Sequence, residues 1–170
     1  MDDIYFMKEA LKEAKRAFDE DEVPVGAVLV HKGRVIARGR NQVELLRDAT
    51  AHAEMVCLSA ASEAMGNWRL LETTLYSTLE PCVMCAGALI AARVTRLVWG
   101  APDLRVGACG SWIDLFANGH PIHKLEVVGR CLEAQAADLM RAFFQKQRAK
   151  RVTKECVESS PDAAGDPSWG

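Results

Sequence analysis

The chain has 170 residues, of which 49% are hydrophobic and 26% charged, a composition typical of one soluble globular domain. No apolar run approaches the ~18 residues that a membrane-spanning helix needs, and the acidic start of the chain is unlike a signal peptide. The net charge of −2 indicates no class of partner by itself, and we expect a cytoplasmic protein whose six cysteines stay reduced.

The first half of the chain predicts a helix, a hairpin and a second helix, in that order. Apolar residues at helical spacing indicate an amphipathic helix over residues 3–19. The apolar runs Val25–Val30 and Val35–Ala37 lie on either side of Lys32-Gly33, a pattern that predicts a β-hairpin. A further helix is expected over Thr50–Ala64, with the Thr50 hydroxyl as its N-terminal cap.

The second half alternates short strands with helices. Three strands are predicted from apolar and β-branched runs, at Thr74–Thr78, Arg96–Gly100 and Leu125–Val128. Three helical segments are predicted, from Pro81 in a first turn to about Arg93, around Trp112–Ala117, and from Leu132 to about Lys150. Residues 101–110, which contain one proline and two glycines, are expected to form a loop.

This order of elements predicts an α/β fold in which helices cover one mixed sheet. We expect a single domain over residues 1–152. From Glu158 onward Ser, Pro, Asp, Gly and Ala dominate without an apolar period, so residues 153–170 are expected to form a disordered tail.

Two short motifs carry the residue types of a metal site. His52-Ala53-Glu54 opens one predicted helix, and Pro81-Cys82-Val83-Met84-Cys85 opens another. Imidazole nitrogen and thiolate sulfur are preferred zinc ligands, and the spacing of Cys82 and Cys85 turns both sulfurs to one side of a helical turn. Three ligands leave a fourth tetrahedral position open for water, and the offset of Glu54 from His52 lets its carboxylate move a proton there. The two motifs therefore predict hydrolysis at a zinc site.

Two other interpretations of these motifs are open from the residues alone. A Cys-x-x-Cys pair that follows a strand and opens a helix is also typical of a thioredoxin-like dithiol, although that leaves His52 and Glu54 without a role. A purely structural zinc site is the other, and it needs a fourth protein ligand. The candidates, none at a characteristic spacing, are Cys57, Cys109, His120 and His123.

Together the motifs resemble the signature of the cytidine deaminase-like zinc hydrolases and, within them, the tRNA-specific adenosine deaminases of bacteria. The likeness covers approximately residues 4–151. It is carried by four runs, at Glu22–Val30, Thr50–Met55, Tyr76–Ala88 and Gly107–Ser111.

The resemblance implies a three-layer α/β/α cytidine deaminase-like fold with a central five-stranded mixed sheet. It implies one zinc ion per subunit, held by His52, Cys82 and Cys85, with Glu54 as the proton shuttle. It also implies a homodimer in which each active site takes residues from the neighbouring subunit. The implied reaction is hydrolytic deamination of adenosine to inosine at the wobble position of a tRNA anticodon, so the expected partner is a tRNA anticodon stem-loop.

The residues expected to bind the substrate are Asn41, Ala53, Asp103, Arg105, Phe144 and Arg148. Asn41 matches the asparagine that holds the target base in this family, whereas from the residues alone it is a loop residue that favours a turn. Asp103 and Arg105 fall where the family approaches RNA, and without the resemblance they are ordinary loop charges.

The substrate class stays open on the zinc motif alone, because deaminases of free guanine, cytosine or nucleosides use closely similar signatures. RNA is favoured by a stretch from Arg141 to Lys154 that holds six Lys and Arg side chains and no acidic one. The alternative is a solvated helix end whose cations complement the helix dipole. Phe143 or Phe144 is expected either to pack in the core or to lie beside the substrate loop. A zinc-stabilised RNA-binding protein without catalysis is a further alternative.

Two positions depart from the family pattern. Ile122-His123 stands where the family often has Asn-His, and Gln135 stands where it often has an acidic residue. We expect these changes to affect loop contacts or the dimer and to leave the zinc site intact.

Overall fold

The structure, a computed structural model, describes residues 2–158, with the side chains of residues 2–153. This part of the chain forms ten elements, in the order α1 (Asp3–Asp19), β1 (Gly26–His31), β2 (Arg34–Arg40), α2 (Val43–Leu46), α3 (Ala53–Met65), β3 (Thr73–Leu79), α4 (Val83–Ala91), β4 (Arg96–Ala101), β5 (Glu126–Val128) and α5 (Glu133–Glu158). None of the helices within residues 2–158 has both the length and the apolar character needed to cross a bilayer.

The five strands form one mixed sheet in the order β2-β1-β3-β4-β5. The strand β1 pairs antiparallel with β2 and with β3, while β3, β4 and β5 run parallel to one another. The hairpin turns at Lys32 and Gly33, which both have positive φ angles, as a tight two-residue turn requires. The predicted mixed α/β sheet is therefore confirmed, with each predicted strand present.

Helices cover both faces of this sheet and make three layers. Successive residues of β1 point to opposite faces, so Leu29 packs in one apolar cluster and Val28 in another. The Leu29 cluster includes Cys57 of α3 and Leu89 of α4. The Val28 cluster includes Met7 of α1. Cys57 is thus a buried core residue, as its apolar surroundings in the sequence indicate.

The parallel pair β3 and β4 positions the candidate site. Leu79, the last residue of β3, pairs with Ala101, the last residue of β4. The segments that follow the two strands therefore leave the sheet at the same edge, where α/β proteins commonly bind ligands. One of these segments contains Cys82, and the other is the loop over residues 102–111.

Two predicted helix starts are wrong by two or three residues. Thr50 does not cap α3, because its hydroxyl donates to the Asp48 carboxylate at 2.7 Å, and the residue at the cap position is His52. Pro81 does not lie in the first turn of α4, because Cys82 occupies the cap position and the helix begins at Val83. Neither His52 nor Cys82 makes a side-chain capping hydrogen bond. In both helices a predicted metal ligand stands where a capping residue is usual.

The helical segment predicted around Trp112–Ala117 is also wrong. These residues form turns and bends, with Asp114 in an isolated antiparallel bridge to Cys109. The backbone N–H of Gly110, whose φ is +120°, donates to the carbonyl of Ile113 at 2.9 Å. A left-handed glycine and bonds across the loop compete with the regular pattern that a helix needs.

The last helix and one short helix differ from expectation in extent. The helix α5 continues past the expected end at Lys150 and ends at Glu158. It therefore includes residues 153–158, which were expected to belong to the tail. The rest of the expected tail lies outside the described residues. The one-turn helix α2 was not predicted, because its four residues are too few for an apolar period.

Candidate metal centre

The three predicted metal ligands converge. His52 lies at the N-terminal cap of α3, Cys82 lies at the cap of α4, and Cys85 lies in the first turn of α4. The Nδ1 atom of His52 is 3.6 Å from the sulfur of Cys82 and 3.5 Å from the sulfur of Cys85. All three donor atoms lie within 4.8 Å of one another, and no fourth His, Cys, Asp or Glu among the described side chains joins the group.

The donor set and its spacing fit a zinc ion. A tetrahedral zinc with Zn–S bonds of about 2.3 Å and a Zn–N bond of about 2.0 Å places nitrogen and sulfur ~3.5 Å apart. The observed nitrogen–sulfur separations of 3.5 and 3.6 Å agree with that value. With three protein ligands, the fourth tetrahedral position remains available for water, as catalytic rather than structural zinc sites require.

The two thiols of this group differ in their pKa values. The pKa of Cys82 is lowered to about 4, mainly because the Cys85 thiol donates to its sulfur and secondarily because of His52. The pKa of Cys85 is raised, since it keeps the proton that the two sulfurs share and is buried. The pKa of His52 is raised by the Cys82 thiolate. Cys82 is therefore a ready thiolate ligand at neutral pH.

Glu54 is buried beside these ligands, with 3% of its surface exposed. One oxygen of its carboxyl group accepts a hydrogen bond from the Ser77 hydroxyl of β3 at 3.2 Å. Burial raises the pKa of Glu54 above its ordinary 4.5, against a smaller opposing effect of His52. A buried carboxyl group beside a zinc ligand set is suited to carrying protons for hydrolysis.

One cavity of about 300 Å³ joins these groups. Its walls include two of the ligands, His52 and Cys82, together with Glu54. Five of the six residues expected to bind substrate also line it, namely Asn41, Ala53, Asp103, Arg105 and Phe144. The sixth, Arg148, instead lines a shallower depression that adjoins the cavity through Arg105 and Phe144.

Asn41 is held by a carboxylate that sequence reasoning missed. Its side-chain N–H donates to the Glu22 carboxylate at 3.0 Å, and Asn41 is 6% exposed. Because a carboxylate only accepts, this bond turns the amide nitrogen toward Glu22. Glu22 also accepts from the backbone N–H of Leu45 at 2.8 Å and so fixes the start of α2. The only sequence signal for Glu22 was its place at the head of the run Glu22–Val30.

A second missed carboxylate is Glu80, which lies between β3 and Cys82 and is 2% exposed. Its oxygens accept hydrogen bonds from the loop over residues 102–111. Its sequence signals were its place in the run Tyr76–Ala88 and its position directly before Pro81-Cys82.

The basic stretch in α5 is partly neutralised within the protein. Lys146 and Lys150 both pair with the carboxylate of Asp21, at 2.7 and 2.8 Å, and Arg141 pairs with Asp138. Among the described residues no ion pair involves Arg148, whose side chain lies at the depression beside the cavity. The side chain of Lys154 lies outside the described part. The paired cations therefore fit the interpretation as a solvated helix end, whereas Arg148 fits the interpretation as an RNA contact.

The two phenylalanines of α5 have different surroundings. Phe143 is buried and packs edge-on against Phe18 of α1, with ring centroids 5.9 Å apart. Phe144 is 36% exposed and lines the cavity. Of the two expected alternatives, packing in the core holds for Phe143, whereas Phe144 lies beside the site.

Comparison with known proteins points to one family. Residues 1–101 match the family model of the cytidine and deoxycytidylate deaminase zinc-binding region. The tRNA-specific adenosine deaminase of Bacillus subtilis (strain 168) is 46% identical over 149 residues, which cover 88% of this chain and 92% of that protein. The chloroplastic tRNA(adenine(34)) deaminase of Arabidopsis thaliana is 55% identical over 159 residues. That match covers 84% of this chain, which spans only 12% of the length of the chloroplastic relative.

A solved structure shares the fold. It comes from work on A-to-I editing by tRNA:A34 deaminases at the wobble position of transfer RNA, and it superposes with a TM-score of 0.75 at 46% sequence identity. The match covers 79% of this chain and 98% of that one. The expected three-layer fold with a five-stranded sheet is thus confirmed.

Proposed function

The chain belongs to the cytidine and deoxycytidylate deaminase zinc-binding family, and we infer that it hydrolyses adenosine to inosine at the wobble position of a tRNA anticodon. The observation that carries this inference is the single cavity that His52, Cys82, Glu54 and Asn41 line together. The reaction takes up one water molecule and releases one ammonia for each adenosine.

In the proposed mechanism, His52, Cys82 and Cys85 hold one zinc ion. A zinc ion bound there would act as a Lewis acid and lower the pKa of a water molecule toward ~7. The chain orients its three ligands through the first turns of α3 and α4, so that the donor atoms are already at the required separations. This preorganisation reduces the cost of assembling the site.

Glu54 is the proposed proton shuttle. It would accept a proton from the attacking water and deliver protons to N1 of the adenine and to the departing amino group, which leaves as ammonia. The bond from Ser77 fixes one of its oxygens, and its raised pKa brings the group closer to the pH at which it must both accept and donate.

Asn41 is proposed to hold the target base. Its bond to Glu22 occupies one N–H and leaves the carbonyl oxygen and the second N–H for a ligand in the cavity. The alternative of a turn residue does not account for the burial of Asn41 or for its buried acidic partner. Ala53 would contribute a small wall between His52 and Glu54, where a larger side chain would fill the space of the base.

An RNA substrate is supported by the mouth of the cavity. Arg105 and Phe144 lie there, and Arg148 lies in the adjoining depression, so that a cation and an aromatic ring are available to a phosphate and a neighbouring base. A base in an anticodon loop is already unpaired, so moving it into the cavity costs only a few kcal/mol.

We also propose a homodimer. Support comes from an exposed apolar groove on the α3 and α4 face, which Met55, Leu58, Trp68 and Ala88 line. Trp68 is 53% exposed, and exposed apolar patches of this kind commonly mark association sites. Light scattering should give twice the chain mass of 18.6 kDa. Trp68→Glu should shift the protein toward the monomer, and a parent protein that is monomeric at full activity would contradict the proposal.

Substrate class is tested with an anticodon stem-loop bearing adenosine at the wobble position, alongside free adenosine, guanine and cytidine. We expect inosine to form in the stem-loop at a rate far above that for any free base or nucleoside. Deamination of a free base or nucleoside but not of the stem-loop would replace this function with that of a small-molecule deaminase. Stem-loop binding without any deamination would instead indicate a non-catalytic RNA-binding protein.

A further inference from the structure

Glu80 has an unusual set of partners for a buried acidic residue. One of its oxygens accepts from the backbone N–H groups of Cys109 at 2.8 Å and Ser111 at 3.1 Å. The other accepts from the backbone N–H of Asp103 at 3.1 Å and from the Ser111 hydroxyl. No ion pair to Glu80 is found among the described residues, so the loop itself compensates this buried carboxylate.

Polar contacts account for much of what holds the loop over residues 102–111. Leu104 and Val106, two of its apolar side chains, are 77% and 46% exposed, whereas Ala108 is buried. At Gly107 the loop backbone packs directly on the acid, since a Cβ atom there would lie 2.5 Å from the carboxyl carbon of Glu80. The carboxylate is therefore the centre around which the loop is folded.

This loop joins the metal motif to the mouth of the cavity. The backbone N–H of Ala108 donates to the carbonyl of Pro81 at 2.8 Å, and Gly107 forms a bridge with Cys82. At its other end the loop carries Asp103 and Arg105, which line the cavity. A shift of the loop would move these two side chains relative to the metal ligands.

We propose that Glu80 is a positioning residue, which sets substrate affinity by fixing the 102–111 loop as one wall of the cavity. This inference rests on the proposed function. Glu80 does not itself move protons, because its four hydrogen-bond donors fill the roughly four acceptor sites of a carboxylate. Glu80 itself lies at the cavity wall, but its oxygens are engaged by the loop, and it acts through Asp103 and Arg105.

The substitution Glu80→Gln tests the proposal with little change in shape. A glutamine offers one accepting oxygen and one donating NH₂ group. If the NH₂ group replaces the oxygen near Asp103, the Ser111 hydroxyl can rotate to accept, but the N–H of Asp103 loses its acceptor. In the opposite orientation, the NH₂ group would face the backbone N–H groups of Cys109 and Ser111. This orientation is less favourable because donors would face donors.

For Glu80→Gln we expect KM for the wobble stem-loop to rise about tenfold, the effect of one lost charge-assisted hydrogen bond. We expect kcat to fall less than ~3-fold and the zinc content to remain one per chain, since no ligand is touched. Hydrogen exchange should become faster at the amides of residues 103–111 and stay unchanged in α3 and α4. This combination separates a change in the wall from a change in the chemistry.

The matched control is Glu13→Gln. Glu13 is also a buried carboxylate, at 3% exposure, but it lies in α1 and pairs with Arg16 and Arg38 rather than with the loop. Its loss can lower the melting temperature. Measured below that temperature, KM and the exchange of residues 103–111 should equal those of the parent protein.

Three results would overturn the proposal. Unchanged exchange and KM in Glu80→Gln would show that the loop does not depend on this carboxylate. A loss of kcat without faster loop exchange would place Glu80 in the chemistry, and a loss of zinc would place it at the metal site. If Glu80→Gln does not fold, Ser111→Ala removes a single donor and should raise KM two- to threefold. The exchange measurement needs no substrate, so it stands even if the parent protein fails to deaminate the stem-loop.

Discussion

The carboxyl group of Glu54 lies in surroundings that disfavour its charged form. It is buried, one of its oxygens accepts from the neutral Ser77 hydroxyl, and His52 lowers its pKa through charge by less than burial raises it. Such a group is poorly stabilised as an anion until a cation binds beside it. The residue that carries the proposed chemistry is therefore also one that weakens the fold when the metal is removed.

The substitution Glu54→Gln should abolish turnover and keep the metal. Glutamine retains the size of the side chain but cannot carry a proton, so we expect kcat to fall at least about a hundredfold. Zinc content, measured by elemental analysis, should remain one per chain. Glu63→Gln, an exposed carboxylate of the same helix, is the control and should change kcat less than twofold. Loss of metal or full activity in Glu54→Gln would rule out the shuttle role.

Because the pKa of Glu54 is raised, the effect of Glu54→Gln on stability should depend on pH once a chelator has removed the metal. The stability that the carboxyl group contributes is complete below its ordinary pKa of 4.5 and is lost as the pH rises through the folded-state pKa. Glutamine does not titrate. At pH 7 the chelated variant should therefore unfold at higher urea concentration than the chelated parent, with no difference below about pH 4. Equal midpoints at pH 7 would contradict this.

At the scale of single residues, sequence reasoning identified the groups that belong to short motifs of metal-ligating residue types. Cys82 and Cys85 are three apart, and helical geometry alone turns their sulfurs to the same side. Glu80 was missed because its donors lie 23 to 31 residues away, in a loop without an apolar pattern. Its role depends on two strands ending side by side, which no local pattern indicates.

Among the elements, the starts of α3 and α4 show why two caps were misplaced. Capping rules favour Thr50 and Pro81 near a helix start, but the cap positions belong to His52 and Cys82, whose side chains belong to the metal group and make no side-chain capping bond. Both helices give up a capping bond at a site where the metal can replace it. The deviation from the capping rule thus coincides with the functional site.

The helix α5 combines structural and exposed cations. Lys146 and Lys150 bind Asp21 and so tie α5 to the end of α1, and the two lysines lower the pKa of Asp21 to about 2. Arg148 lies on the side of the depression next to the cavity. Only part of the basic stretch is therefore available to RNA.

This division predicts unequal effects on salt dependence. In a plot of log affinity for the stem-loop against log salt concentration, Arg148→Ala should make the slope shallower by about 1, the effect of one lost phosphate contact. Lys150→Ala, the matched control, should change it less, because that ammonium group already pairs with a carboxylate. Equal slopes for Arg148→Ala and the parent protein would count against a phosphate contact at Arg148.

Considered as a whole molecule, the fold was predictable from the alternation of its elements. Apolar periods marked every strand and the long helices, and the number of strands followed from them. The loop over residues 102–111 was expected, but its conformation and the turns that follow it could not be predicted, since they depend on hydrogen bonds to Glu80 and on positive-φ glycines rather than on periodicity. The least predictable segment is thus the one next to the site.

One ion pair ties the start of the chain to the sheet. The guanidinium group of Arg96 in β4 binds the carboxylate of Asp3 in α1 at 2.7 Å, and Tyr76 of β3 donates to the same carboxylate at 2.8 Å. Arg96 lowers the pKa of Asp3 below its ordinary 3.8. Stability from this carboxylate is therefore present above about pH 4 and is lost as the pH falls through its folded-state pKa.

Removing this tie with Asp3→Asn should lower the free energy of unfolding at pH 7 by about 1 kcal/mol, in the range of partly exposed ion pairs. Urea unfolding at several pH values measures the effect. The difference from the parent protein should shrink as the pH falls below about 3.8, where the parent carboxylate also becomes neutral. A difference that stays constant over this range would contradict an ionic origin.

The walls of the cavity come from independent parts of the chain, and this has a consequence for how such a scaffold evolves. Asn41 comes from a strand end, Arg105 from a loop and Phe144 from the last helix, and none of these segments supplies a metal ligand. Selection can therefore vary one wall at a time and explore new nucleobases while the reactive centre is inherited unchanged. Libraries that randomise the three segments separately would sample that evolutionary freedom directly.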